Sequence, residues 1–145
     1  MGDSQYQRVT TRETSDHLEA VMGLLRAALT PELLREPYRT WVEQEGAHPV
    51  TGHCYVATEA IFHLLGGKAA GWTPMHQQHE GGPHWWLRGP SGEVVDPTVE
   101  QCDTPVPYEL GRAKGFLTRE PSKRAQIVIR RVMAGQPTTA ADRCG

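Results

Sequence analysis

Several common protein classes are excluded by what this chain lacks. Three cysteines in 145 residues is a small and odd number, which rules out a disulfide-stapled scaffold and leaves the thiols free for chemistry in a reducing compartment. None belongs to a Cys-x-x-Cys pair, so the spacing matches no strong zinc pattern. No stretch approaches the roughly 18 consecutive apolar residues of a membrane helix, and residues 1 to 8 hold no apolar signal core. Neither sign of charge is in excess: 15 Lys plus Arg against 17 Asp plus Glu give a formal charge of −2. That balance offers no electrostatic reason to expect nucleic acid or a membrane surface as partner. The expectation is a reduced, cytoplasmic chain with no internal repeat and no cofactor.

What is present suffices for one domain. With 38% hydrophobic residues, the chain can bury a core without staples. The patterning predicts a loose polar arm over 1–14, one domain over 15–134 and a small, polar tail over 135–145 that contains Cys144. Leu18, Val21, Met22, Leu25, Ala28 and Leu29 form a helical stripe from about Ser15 to Leu29, and Thr30 with Pro31 opens a short second helix. Pro37 opens a turn carrying Tyr38, Trp41 and Val42. Val56, Ala57, Ala60, Ile61, Leu64 and Leu65 predict a helix capped by Thr51 and stopped by Gly66 and Gly67. Beyond it the pattern becomes extended: a strand over Trp72 to His76, a polar glycine-rich loop over Gln77 to Pro83, and a strand over His84 to Arg88. A Gly89 to Gly92 turn then leads to a returning strand, Glu93 to Asp96. Residues 97 to 120 read as mostly irregular, with a turn of helix near Tyr108. A last helix starts at Pro121 or Ser122 and runs to about Met133. The fold class expected is α+β, N-terminal helices packed on a small antiparallel sheet.

Cys54 falls in the first turn of its predicted helix, where free N–H groups and the positive end of the helix dipole favour a thiolate. His84 follows after thirty residues and Asp96 after twelve more. A hairpin pairs the beginning of its first strand with the end of its second, which sets His84 beside Asp96. A carboxylate that fixes one imidazole nitrogen leaves the other to take a thiol proton. Such a group supports attack on a carbonyl followed by acyl transfer, with the Cys54 backbone N–H as first oxyanion donor.

Residues 52 to 60, the aromatic strand His84, Trp85 and Trp86, and Val95, Asp96, Pro97 and Thr98 resemble the three blocks of the transglutaminase-like branch of the papain-like cysteine enzymes. More closely, Trp41, residues 49 to 54, Gly66 and Gly67, His84, Asp96 to Thr98 and Gln101 resemble the small YunG-like proteins of bacteria and phages. The resemblance spans about residues 41 to 101 and implies a papain-like core with Cys54 as nucleophile, His84 as base and Asp96 as orienting residue. His53 and Gln101 are then expected to support the site or its oxyanion, and Trp86, His79 and Trp41 to meet substrate. The implied substrate is an amide or ester of a peptide, protein or small molecule.

Plainer readings exist for the same residues. Cys54 suits a buried small hydrophobe, Asp96 a turn-former before proline, and Trp85 and Trp86 core filling on opposite strand faces. The 77–83 loop is either a substrate lid or an ordinary surface loop. Cys54, His53, His76, His79 and His84 are conceivable metal ligands, although no spacing supports a site. A protein-interaction module on the same fold, without chemistry, is the second functional class.

Overall fold

The computed structural model describes residues 16–48 and 52–135, which form a mixed α+β arrangement. Helices α1 (16–28), α2 (Tyr38–Gln44), α3 (Cys54–Leu64) and α4 (Lys123–Gly135) accompany strands β1 (Thr73–His79), β2 (Gly82–Arg88), β3 (Val94–Val95) and β4 (Arg112–Ala113). The strands make one antiparallel sheet in the order β3-β2-β1-β4. The expected polar arm, the Thr51 cap and the C-terminal tail with Cys144 lie outside the described residues. Among the described residues no helix is long and apolar enough to cross a membrane.

The helices form because their apolar residues recur at helical spacing, and they stay because those stripes meet. Val21, Met22, Leu25 and Ala28 of α1, Ala57, Ala60 and Ile61 of α3, and Ala125, Val128 and Val132 of α4 are buried together with Leu87 and Val95 of the sheet. Alanine at 57, 60 and 125 lets α3 and α4 pack closely. Each large aliphatic side chain buried there contributes about 1.5–3 kcal/mol. Glu59 is a buried carboxylate in this layer. It accepts hydrogen bonds from the Ser122 backbone N–H at 2.8 Å and the Ser122 hydroxyl at 2.7 Å, while Ser122 Oγ accepts from Ala125 N–H at the start of α4. Glu59 thus completes the cap of another helix across the core.

Three expectations change, two of them in the sheet. Residues 77–83 are not a loop. β1 and β2 continue pairing out to His79 and Gly82, because Glu80 (φ 53°) and Gly81 (φ 87°) make a tight two-residue turn that the polar Gln77 and Gln78 do not disturb. Residues 97–120 include β4, whose Arg112 and Ala113 pair with His76 and Met75. The short helix after Thr30 is a single 3-10 turn, Pro31–Leu33. Val106, Tyr108 and Cys102 pack on Met75 and Trp86 on the sheet face opposite α3, whereas Phe116 packs on Tyr55 and Phe62 of α3 and on Trp85.

Candidate active site

Alternation along β2 decides which side chains can meet. Leu87 points into the helical core, so His84 and Trp86 face the other layer. In the β2–β3 register Leu87 opposes Val95, which sets Asp96 diagonally across from His84 on that same outer face. The side chains close the gap: His84 Nε2 lies 2.7 Å from Asp96 Oδ2, and both residues are buried. A carboxylate can only accept, so Nε2 carries the proton. Asp96 also accepts from the Tyr108 hydroxyl at 2.8 Å and the Thr98 backbone N–H at 3.3 Å. Trp86 stacks on the His84 ring at 6.0 Å between centroids and meets Tyr108 edge-on.

Nδ1 is the nitrogen left toward the cleft. The Cys54 thiol and the His84 ring line one cleft, and Cys54 Sγ lies 3.5 Å from the Pro83 carbonyl oxygen. Gln101 Nε2 lies 3.2 Å from Nδ1 and 3.3 Å from Thr98 Oγ1, while Gln101 Oε1 accepts from Gly52 N–H at 3.0 Å. Gln101 therefore ties the residue pair before α3 to the triad loop. Gly52 is required there twice over: its φ is 82°, and a Cβ would strike the Tyr38 side chain at 2.6 Å. Burial alone would lower the His84 pKa, but the Asp96 hydrogen bond, the Asp96 charge and the neighbouring Cys54 sulfur outweigh it and hold the ring at about 9.

A cleft of about 390 Å³ opens over Cys54. Tyr38 and Trp41, edge-to-face at 5.4 Å and both exposed, form one bank, and the Glu80–Pro83 turn forms the other. That turn is anchored. Glu80 accepts from the backbone N–H groups of Asp103 and Thr104 and from the Thr104 hydroxyl, at 2.8–2.9 Å, and His79 Nε2 lies 3.1 Å from the Thr104 carbonyl oxygen. His79, Glu80 and Cys102 present possible metal-ligand atoms within 4.8 Å of one another, the one such group among the described residues. The Glu80 carboxylate and the His79 nitrogen already bond the 103–104 segment, so a cation would have to displace those bonds. Cys102 Sγ lies 3.9 Å from His84 Nδ1, and burial, reinforced by the Asp96 and Glu80 carboxylates, pushes its thiol up to about 12.

The structure thus brings together Cys54, His84, Asp96 and Gln101 and lines the cleft with Trp41 and His79. Two candidates stand elsewhere. Trp86 is 1% exposed, a buried backing for His84, and it is Trp85 that lines the cleft. His53 is 1% exposed, lies outside the cleft, and has an Nε2 with no partner among the described residues. Tyr108, Thr98, Cys102 and Tyr38 were not singled out as site residues. The first three sit in a proline-rich segment with no periodicity, and only the three-dimensional return of 97–110 over the sheet makes them neighbours of His84 and Asp96, whereas Tyr38 reaches the cleft from α2. No protein-family model, curated protein or solved structure matches the chain.

Proposed function

We propose that the chain is a thiol-dependent hydrolase or acyltransferase, of papain-like and transglutaminase-like character, acting on an amide or ester of a peptide, protein or small molecule. The observation that carries this is the His84 imidazole held at 2.7 Å by the buried Asp96 carboxylate, with Cys54 at the head of α3 lining the same cleft as that imidazole. Nδ1 holds the proton given up by Cys54 before the attack, the ring being held at about 9; the sulfur then bonds to the carbonyl carbon, and the carbonyl electron pair moves to oxygen. Donors at the first turn of α3 face that oxygen, because first-turn N–H groups have no acceptor within the helix. Gln101 is the second donor: once Nδ1 is protonated, its amide N–H can no longer donate there and is released toward the oxyanion. Collapse expels the amine or alcohol, which takes the proton from His84, and water or an amine then removes the acyl group. Asp96 keeps the ring oriented and stabilises its cation.

Iodoacetamide alkylation near pH 7, followed site by site by mass spectrometry, tests the reading. Cys54 should react at least tenfold faster than Cys102, His84→Ala should slow it about 100-fold, and Asp96→Ala should slow it less. Equal rates at the two cysteines, or rates unchanged in the variants, would leave a binding module without chemistry.

A further inference from the structure

The cleft over Cys54 does not end at the hairpin. Its walls Tyr55, Pro83 and Trp85 also wall a neighbouring depression of about 340 Å³. That depression shares Lys114 and Gly115 with a third and larger one, of about 820 Å³, at the opposite end of α3. The third is lined by the aromatic rings of Phe62, Trp72 and Phe116 and by Lys68, Lys114 and Arg119, with no carboxylate among its lining residues. None of these three cations pairs with a carboxylate among the described residues. Lys114 instead sits 5.8 Å above the Trp85 ring. In a chain of net charge −2, three unneutralised cations around one aromatic basin favour a negatively charged occupant.

We propose that these adjoining depressions form one trough for an extended acidic polypeptide segment, with a carboxylate side chain seated between Lys68 and Arg119. The helix sets the scale. From Cys54 to His63 is about 13–14 Å at the helical rise, which an extended chain covers in about four residues. The acidic side chain therefore sits about four residues from the amide presented to Cys54. A polynucleotide fits less well, because the cations gather at one end only and the Cys54 end carries the Glu80 carboxylate. The assignment rests on the thiol-enzyme reading for what happens to the peptide at Cys54, and is independent of it for binding.

Fluorescence anisotropy on the Cys54→Ala protein, with labelled octapeptides of Ala and Gln carrying two Glu at one end, two Glu at the other, or two Lys, tests the trough. One Glu peptide should bind at least tenfold tighter than the Lys peptide, and Lys68→Glu with Arg119→Glu, both at exposed positions, should abolish the preference. In the wild-type protein the same peptide should slow alkylation of Cys54. Equal binding of Glu and Lys peptides, a preference that survives charge reversal, tighter binding of an eight-residue oligothymidine, or binding without protection of Cys54 would each overturn the proposal. If Cys54 alkylates no faster than Cys102 while the charge preference holds, the enzyme reading falls and the trough stands.

Discussion

His53 and His84 are buried to nearly the same degree, 1% and 3% exposed, in opposite surroundings. His53 sits at the head of α3, where its Nε2 has no partner among the described residues, and burial pushes its pKa down to about 4. His84 sits on the outer face of the sheet against Asp96 at 2.7 Å, and despite its burial is held at about 9. Burial alone makes a histidine a neutral packing residue; one aligned carboxylate keeps it an imidazolium near neutral pH. The side of the sheet to which each belongs assigns the roles. The helix-covered side holds the apolar core around buried Glu59 and its partner Ser122, whereas the side covered by 97–110 carries the His84–Asp96 pair with Thr98, Gln101 and Tyr108.

The sharpest way to break this contrast is Asp96→Asn, which keeps the shape and removes the charge. The His84 ring titration, followed by NMR, should fall from about 9 to below the ordinary histidine value of about 6.5, a change of more than two pH units. A midpoint that stays near 9 would mean that Asp96 does not set it.

The pH dependence of stability is the next lever, and the two histidines pull in opposite directions. His53 has a folded pKa, about 4, below its unfolded value, so the unfolded chain takes up a proton first. Its contribution is lost as pH falls from about 6.5 toward 4. His84 has a folded pKa, about 9, above its unfolded value; its contribution is complete below about 6.5 and is lost as pH rises through 9. Each slope is at most about 1.4 kcal/mol per pH unit. Urea unfolding across pH 4–9 should therefore show a maximum near neutrality. His53→Gln should flatten the acid limb alone, and an unchanged acid limb would contradict the account of His53.

The smallest effect expected is that of Tyr108→Phe, which removes one of the donors to Asp96 and keeps the ring against Trp86. Stability should fall by about 0.5–1.5 kcal/mol, with the His84 titration moving by less than one unit. A loss above 3 kcal/mol would show that Tyr108 holds the 97–110 segment in place, beyond merely buttressing the carboxylate.

Much of the helical layer was legible because periodicity is local. Ala57, Ala60 and Ile61, or Val21, Met22 and Leu25, announce a buried stripe wherever the partner lies. Cys54, His84 and Asp96 were legible as residue types in a plausible order, since a hairpin implies which of its ends are neighbours. The Glu80–Gly81 turn is masked by polar residues on both sides, because Gln77 and Gln78 lack strand character and make the Gly81–Gly82 pair look like part of a longer loop. β4 was hidden because two residues carry no period.

By itself, the sequence determined the α+β content, the apolar faces of the helices and the placing of Cys54 at a helix start, all of which follow from side-chain spacing along a few turns of chain. Only the tertiary structure decided that Gln101 bridges Gly52 and His84, that Tyr108 and Thr98 complete the shell of Asp96, that Trp86 lies behind the histidine while Trp85 faces the cleft, and that Lys68, Lys114 and Arg119 collect at one basin. Those relations join residues tens of positions apart through an irregular segment. Its path is set by which polar groups find partners as the chain packs, a property of the whole fold that no short stretch of sequence carries.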